Sequence, residues 1–215
     1  MNVVVIGATG NSGSRIVDEL LQRGHAVTAV SRTASAKFAG KANVKAVDND
    51  LSSVQALEKI VEGADVVVHA YAPPQNDTDQ LVGVTDRIVE AISLAGGKTN
   101  GPRLLVVGGA GGLNVAPGLT LHDSGHLPEP YLPISASHIK VYKSLLQNNT
   151  VNWTYFAPAG FFQPGERTGK FRLGKDDLIT GADGNSSISM EDYAIAAVDE
   201  IEKPKHINER FTIGY

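Results

Sequence analysis

The chain opens with Val3-Val4-Val5-Ile6-Gly7-Ala8-Thr9-Gly10-Asn11-Ser12-Gly13, and this stretch decides the predicted fold. The short β-branched run at its start is typical of a strand buried on both faces of a parallel sheet. Residues 14–23 follow with apolar side chains at helical spacing, and Gly24 is placed to end that helix in the left-handed conformation. The stretch therefore predicts a strand, a glycine turn and a helix in direct succession.

The three glycines of this turn predict a pyrophosphate site. Gly7 allows a sharp turn, Gly10 allows a phosphate to approach the backbone, and Gly13 allows the helix to pack closely on the strand. The first N–H groups of a helix lack helical partners and, with the helix dipole, attract an anion. The alternative is a structural turn whose glycines serve packing alone. The predicted dinucleotide contacts are Gly7, Thr9, Gly10, Asn11, Ser12 and Gly13.

Length and composition restrict the class of protein. The 215 residues, 42% hydrophobic and 20% charged, fit one globular domain. A net charge of −4 without a long basic run argues against nucleic-acid binding, and no apolar run reaches the roughly 18 residues of a membrane helix. The absence of cysteine excludes disulfides and thiolate chemistry. We predict a cytoplasmic protein, a monomer or homodimer, that acts on a small molecule.

The end of the second predicted strand indicates which coenzyme binds. A NAD-specific site places an Asp or Glu here, for the ribose 2′-hydroxyl. This chain has Ser31 and Arg32 instead, with Lys37 nearby. A guanidinium binds a 2′-phosphate through its planar fork, whereas an acid would repel it. These residues predict NADP (NADPH) as the cofactor, and a solvated loop arginine is the alternative.

The remaining strands complete a predicted α/β fold. Apolar runs near residues 43–47, 64–72, 103–107 and 150–156 alternate with helical patterns, which predicts a doubly wound parallel sheet with strand order 3-2-1-4-5-6. Strand ends of such sheets line the ligand crevice. Ala70, Tyr71 and Ala72 are therefore predicted to pass under the cofactor ribose, and His69 to lie in the core.

Two further segments supply candidates for the reaction. The glycine run 108–112 follows the fifth strand, so that Gly108 is predicted to contact the cofactor and Gly109 the substrate. Residues 113–130 read as a loop or lid, and its two histidines have no metal-ligand spacing. In the helix predicted over 133–147, His138 is the inward-facing polar side chain and the candidate catalytic residue; a core histidine is the alternative.

Five segments together carry a family resemblance: GATGNSG, VVVHA, LLVVGGAGGL, WTYFAPAGFFQPGERTGKFRLG and ISMEDYAIAAVDEIEKPKHINERFTIGY. They resemble the NmrA-like group of atypical short-chain dehydrogenases/reductases, which is associated with NAD(P)H–flavin reductases, over essentially the whole chain. The resemblance implies that Asp50 and Leu51 contact the adenine, and a turn or capping role is the alternative for Asp50. It also implies that the segment at Pro158 runs past the nicotinamide.

The chain departs from the superfamily at its usual proton donors. No Tyr-x-x-x-Lys pair is present, because Ala136 precedes Lys140 by four residues, and the glycine run contains no serine. A more distant resemblance to biliverdin-IXβ reductase, also a flavin reductase, rests on His138 and the two residues after it. The places of that enzyme's serine and histidine hold Ala110 and Gly160 here.

These observations predict an NADPH-dependent oxidoreductase that transfers hydride to a flavin-like or quinone-like acceptor. Such an acceptor needs little acid catalysis, so the enzyme would act mainly by orientation. A non-catalytic NAD(P)-binding redox sensor is the alternative, and carbonyl reduction would need a donor that the sequence lacks. Phe161 and Phe162 are predicted to wall the acceptor or to be core, and Arg167 to clamp it. We expect one domain, 1–215, with 158–190 and 205–215 as a substrate lobe.

Overall fold

A mostly parallel sheet forms the centre of the protein, in a computed structural model that describes residues 1–215. Neighbouring strands of this sheet run parallel to each other, except for one antiparallel pair at an edge. The six strands predicted from the sequence occur in the predicted order, which confirms a Rossmann-like doubly wound α/β fold. In spatial order the eight strands are β10 (Arg172–Gly174), β12 (Glu209–Gly214), β8 (Trp153–Ala157), β5 (Arg103–Val107), β4 (Val66–His69), β1 (Asn2–Ile6), β2 (Ala26–Ser31) and β3 (Val44–Asp48).

Helices cover both faces of this sheet, because its strands are apolar on both sides. Helices α1 and α7 contribute to the core on one face, and α3, α4 and α6 to the core on the other. The seven helices are α1 (Asn11–Gln22), α2 (Ala34–Lys37), α3 (Val54–Val61), α4 (Gln80–Leu94), α5 (Gly97–Asn100), α6 (Leu132–Gln147) and α7 (Met190–Glu202).

The C-terminal part differs from the expected lobe. Residues 209–214 form β12, which lies within the central sheet between β8 and β10. Outside that sheet, β9 (Phe161–Gln163) pairs in parallel with β11 (Ser187–Ser189). The segment predicted as a loop or lid contains a short hairpin, β6 (Asn114–Ala116) and β7 (Leu119–Thr120). The sequence pattern did not reveal this hairpin because its strands are only three and two residues long.

Helix starts follow side-chain caps where the sequence provides them. Ser189 Oγ accepts a hydrogen bond from the Asp192 amide and so caps α7. Ser53 caps α3 in the same way, by accepting a hydrogen bond from the Ala56 amide. Helix α4 begins at Gln80, directly after a turn at residues 78–79. None of the helices is both long and apolar enough to cross a membrane.

Candidate functional site

The turn after β1 presents a row of unsatisfied backbone donors. The Gly10 amide bonds to the Gly7 carbonyl at 3.0 Å, and the Ser14 amide bonds to the Gly10 carbonyl at 2.9 Å. Around these two bonds, four N–H groups at the start of α1 donate to no group of the protein. Such a cluster at a helix N-terminus fits an anion, and a pyrophosphate in particular. The four amides belong to Thr9, Asn11, Ser12 and Gly13.

Two of the glycines are fixed by backbone crowding. Gly7 has a φ of +82°, and a Cβ built there would lie 2.4 Å from the carbonyl oxygen of Ala70. A Cβ on Gly13 would lie 2.2 Å from the Gly7 carbonyl oxygen. The turn thus touches the exit of β4 on one side and the first turn of α1 on the other. Both glycines keep the four free amides in place, and neither position has room for a side chain.

The end of β2 carries a cation, Arg32, and the end of the neighbouring strand β3 carries a carboxylate, Asp48. Arg32 is exposed and makes no ion pair, whereas Ser31 Oγ accepts a hydrogen bond from the Thr33 amide. Asp48, on β3, lies opposite Ser31 in the parallel register. Hydrogen bonds from the side chain and amide of Ser35 keep the pKa of Asp48 below its usual value. The Asp48 carboxylate is therefore occupied by the start of α2, while the Arg32 guanidinium has no protein partner.

The segment after β3 forms a tight turn. The Asp50 carboxylate accepts hydrogen bonds from the hydroxyl and amide of Ser52, which lower its pKa. Leu51 has a φ of +64°, is 4% exposed, and its carbonyl accepts a bond from Arg87 Nε at 2.7 Å. Asp50 is thus a turn residue in this structure, which was the alternative to an adenine contact. Adenine contacts for these two residues stay predictions.

The glycine run after β5 accommodates aromatic rings. A Cβ on Gly108 would lie 2.4 Å from the ring of Tyr155, and one on Gly109 would lie 2.9 Å from the ring of His138. The Gly109 amide donates to the Tyr155 hydroxyl at 3.0 Å, and the Gly108 amide donates to the Phe156 carbonyl. Both amides therefore donate their hydrogen bonds within the protein. A ligand could receive a hydrogen bond from either amide only if these bonds were broken.

His138 combines a buried nitrogen with an accessible one. Its Nδ1 is buried and has no hydrogen-bond partner. Its Nε2 also has no partner, but this atom lies on the accessible part of the ring. Burial lowers the pKa of His138 to about 4, so the ring is neutral near pH 7. The predicted inward face of α6 is confirmed for Val141 and Leu145. Sequence periodicity missed the burial of Ser135, whose hydroxyl bonds to His122 Nδ1 at 2.9 Å.

His69 lies in the core, as predicted. It is 1% exposed, and its Nε2 is 2.9 Å from Thr85 Oγ1. Burial, and then the charge of His138, lower the pKa of His69 to about 3. An unfolded chain protonates this residue near pH 6.5, so its contribution to stability is complete above pH 6.5 and is lost as the pH falls toward 3.

This shift predicts a measurable acid sensitivity. Relative to His69→Asn, the wild-type free energy of unfolding should fall by about 2 kcal/mol between pH 7.5 and pH 5, because the unfolded state takes up a proton that the folded state excludes. Urea denaturation at both pH values measures it. An equal pH dependence in the two proteins would contradict the shifted pKa.

The two phenylalanines after β8 have different surroundings. Phe161 is 62% exposed on β9, whereas the Phe162 ring packs 4.8 Å from that of Tyr193 in the core. Pro158, just before them, is buried. Of the two rings predicted to contact the acceptor, only Phe161 is accessible. The packing of Phe162 favours its role as a core residue. Roles for Pro158 and Phe161 in binding stay predictions.

The basic segment 164–171 is hydrogen-bonded to helices α1 and α7. The Arg167 guanidinium pairs with Glu19 of α1 at 3.0 Å, and Glu19 is only 5% exposed. This pairing does not favour the substrate contact predicted for Arg167. The buried carboxylate of Asp192 accepts bonds from the Thr168 and Gly169 amides, each at 2.8 Å. Residues 164–171 are thus held down on α1 and α7.

We expect Asp192→Ala to destabilise the fold by about 2–4 kcal/mol, because several bonds to one carboxylate are lost. The Tyr215 hydroxyl also loses its 2.8 Å bond to this carboxylate and keeps only its contacts with Ser189. Urea denaturation and trypsin cleavage near Lys170 measure the effect, and cleavage should become faster. Asp183→Ala is the control, since that exposed carboxylate bonds only to Asn185. Equal stabilities of the two variants would contradict this role.

Comparison with known proteins agrees with this geometry. The sequence profile of a family described as NAD(P)H-binding matches residues 7–204. The uncharacterized protein YwnB of Bacillus subtilis (strain 168) is 38% identical over 216 residues, which cover 99% of this chain and 98% of the relative.

Solved structures extend the similarity to the whole fold. A structure from Bacteroides thetaiotaomicron, described as a "putative epimerase", has 42% identity and a TM-score of 0.90, and the match covers 100% of this chain and 96% of that one. SP1627 from Streptococcus pneumoniae TIGR4, described as a "putative NADH-flavin reductase", has 32% identity and a TM-score of 0.85, covering 100% and 99%.

Proposed function

The chain belongs to the NAD(P)H-binding family, and from this premise we propose that it is an NADPH-dependent reductase that passes hydride to a flat, conjugated acceptor of the flavin or quinone type. The observation that carries the proposal is the set of four unpartnered amides at the start of α1, next to glycines that have no room for a Cβ. A pyrophosphate fits this cradle by charge and by space.

The choice of NADPH rests on the end of β2. Arg32 offers a guanidinium without an ion-pair partner, and no acidic residue follows the strand directly. The nearest strand-end carboxylate, Asp48, is engaged by Ser35. A 2′-phosphate would therefore meet the cation of Arg32, whereas an unmodified ribose would find no carboxylate free to accept its hydroxyl.

The choice of acceptor rests on the absence of a strong acid at the site. The bound coenzyme supplies hydride, and the residues of the chain position the acceptor against it. Tyr155 is 2% exposed, its hydroxyl is hydrogen-bonded to the Gly109 amide and the His138 carbonyl, and burial raises its pKa. The other candidate is His138, whose Nε2 has no hydrogen-bond partner within the protein. An acceptor that takes hydride on a conjugated ring needs no stronger acid. The similarity to SP1627, described as a "putative NADH-flavin reductase", supports this class of acceptor.

The test is NADPH oxidation in the presence of FMN, riboflavin or a benzoquinone, followed at the absorbance of the reduced coenzyme. We expect turnover with at least one of them and a lower rate with NADH. Calorimetric binding of NADPH and NADP is measured in parallel. Tight binding of both forms without turnover would favour the alternative, a non-catalytic redox sensor. Absence of binding would contradict both.

The remaining expectations belong to the same proposal. The partner is a small molecule, the chain acts as a monomer or homodimer, and its location is the cytoplasm. Light scattering measures the oligomeric state, and fractionation of expressing cells tests the location.

A further inference from the structure

One bulky residue of the chain has a left-handed backbone. Leu51 has a φ of +64°, whereas the other two non-glycine residues with positive φ are asparagines, Asn43 and Asn208. Asparagine tolerates this conformation, but for leucine it is strained, so that surrounding contacts must hold it. Strained residues of this kind cluster at ligand sites, and Leu51 follows β3 at the carboxyl end of the sheet, where open α/β sheets bind their ligands.

Contacts on three sides hold Leu51 in this conformation. Its amide donates to Asn49 Oδ1 at 2.7 Å, and its carbonyl accepts a bond from Arg87 Nε at 2.7 Å. Its side chain, 4% exposed, packs in the core that α3 and α4 share. Asn49 belongs to the turn itself, whereas Arg87 reaches the turn from α4, 36 residues later in the chain. The bond from Arg87 therefore ties the strained backbone to a helix.

The turn leaves one carboxylate oxygen of Asp50 free. Asp50 Oδ1 accepts both bonds from Ser52, while Oδ2 has no partner in the protein and the side chain is exposed. The bonds from Ser52, and to a smaller extent the charge of Arg87, lower the pKa of Asp50, so that its carboxylate is ionised near pH 7. The turn therefore presents an anionic acceptor, Asp50 Oδ2, at its exposed side.

The place of this acceptor relative to the proposed coenzyme follows from the sheet. The Asn49 amide donates to the Ser31 carbonyl at 2.9 Å, so that the turn lies beside the end of β2, next to Arg32. The adenine of NADPH is joined to the ribose whose 2′-phosphate Arg32 would bind. The base would therefore lie close to residues 49–52, and its 6-amino group is a hydrogen-bond donor, which fits an ionised carboxylate.

We propose that Arg87 is a positioning residue for adenine recognition. By holding the Leu51 carbonyl, it fixes the turn of residues 49–52 and so directs Asp50 Oδ2 at the 6-amino group of the base. Arg87 acts through the turn and makes no contact with the coenzyme. The inference rests on the proposed function in one respect, the binding of NADPH, and does not require turnover.

Two coenzymes that differ in one group test the proposal. NADPH and reduced nicotinamide hypoxanthine dinucleotide phosphate have the same net charge and the same phosphates, but the second has a carbonyl oxygen in place of the 6-amino group. A bond from that amino group to a carboxylate predicts that wild type binds NADPH roughly ten- to a hundredfold more tightly in calorimetric titration. Asp50→Ala, at an exposed position, should bind the two equally.

The variant that tests the role of Arg87 is Arg87→Met, which retains the apolar stem and removes the donor. Its preference for NADPH should fall below about threefold, while its affinity for the hypoxanthine coenzyme stays within about threefold of wild type. Arg87→Lys, which keeps a donor on a long stem, should show an intermediate preference. A purely structural role predicts that both coenzymes weaken together. An unchanged preference in Arg87→Met would overturn the proposal.

A second variant keeps the test decisive if Arg87→Met does not fold. Asn49→Ala removes the other hydrogen bond to the Leu51 backbone and leaves α4 unchanged. Its preference for NADPH should also fall, and an unchanged preference would overturn the proposal, as would a wild type that binds both coenzymes equally. The reductase proposal fails separately, since NADPH can bind with this preference and not be oxidised. Absence of coenzyme binding contradicts both.

Discussion

Gly7→Ala should abolish the binding of NADPH and NADH alike, with a loss of more than about a hundredfold in affinity, because several charge-assisted amide bonds are displaced together. The new Cβ would lie 2.4 Å from the Ala70 carbonyl oxygen, in a backbone with a φ of +82°. Strain and overlap together should cost about 2–5 kcal/mol of stability. Calorimetric titration measures the affinity, and urea denaturation measures the stability.

Gly24→Ala is the matched control for this effect. Gly24 has nearly the same backbone angle, a φ of +80°, but a Cβ there meets nothing within 4 Å. That variant should lose only about 1 kcal/mol of stability and keep its coenzyme affinity. If Gly7→Ala does not fold, Gly10→Ala provides the test, since its Cβ approaches only the Gly7 carbonyl, at 3.2 Å. Undiminished binding in Gly7→Ala would contradict the site.

Arg32→Ala should lower the affinity for NADPH roughly ten- to a hundredfold and leave the affinity for NADH unchanged. A charge-assisted bond to a phosphate contributes about 1.5–3 kcal/mol, and NADH lacks the group that Arg32 would bind. Titration of both coenzymes against wild type and variant measures the ratio.

The control for net charge is Lys45→Ala. It also removes one exposed cation, from β3, but away from the carboxyl end of the sheet. Its affinities should match those of wild type in low salt, where a general charge effect would be largest. An NADPH/NADH ratio that Arg32→Ala does not change would reject this role for the arginine.

The fold was predictable from the sequence because its signals are local. The β-branched run at Val3–Ile6 and the glycine turn each specify a structure within a few residues, and the structure has both. The sheet order followed from the alternation of strands and helices together with the handedness of crossovers.

The interior of the site was less predictable because its contacts are long-range. Ser135 reads as a polar position on α6, yet it is buried because His122, thirteen residues earlier, approaches its hydroxyl. The local sequence suggests that Arg167 is a free cation, yet its guanidinium pairs with Glu19 of α1, which lies 148 residues earlier in the chain. Helical periodicity gives the direction of a side chain and contains no information about a partner from a distant segment.

The place of β12 in the sheet has a consequence for biosynthesis. This strand lies between β8 and β10, although both precede it in the chain, and β10 has no other neighbour in the sheet. While the polypeptide emerges from the ribosome, β8 therefore exposes an unpaired edge until residues 209–214 are released. Chaperone dependence and aggregation of nascent chains should be greatest in that interval, because an open strand edge is a template for pairing with other molecules.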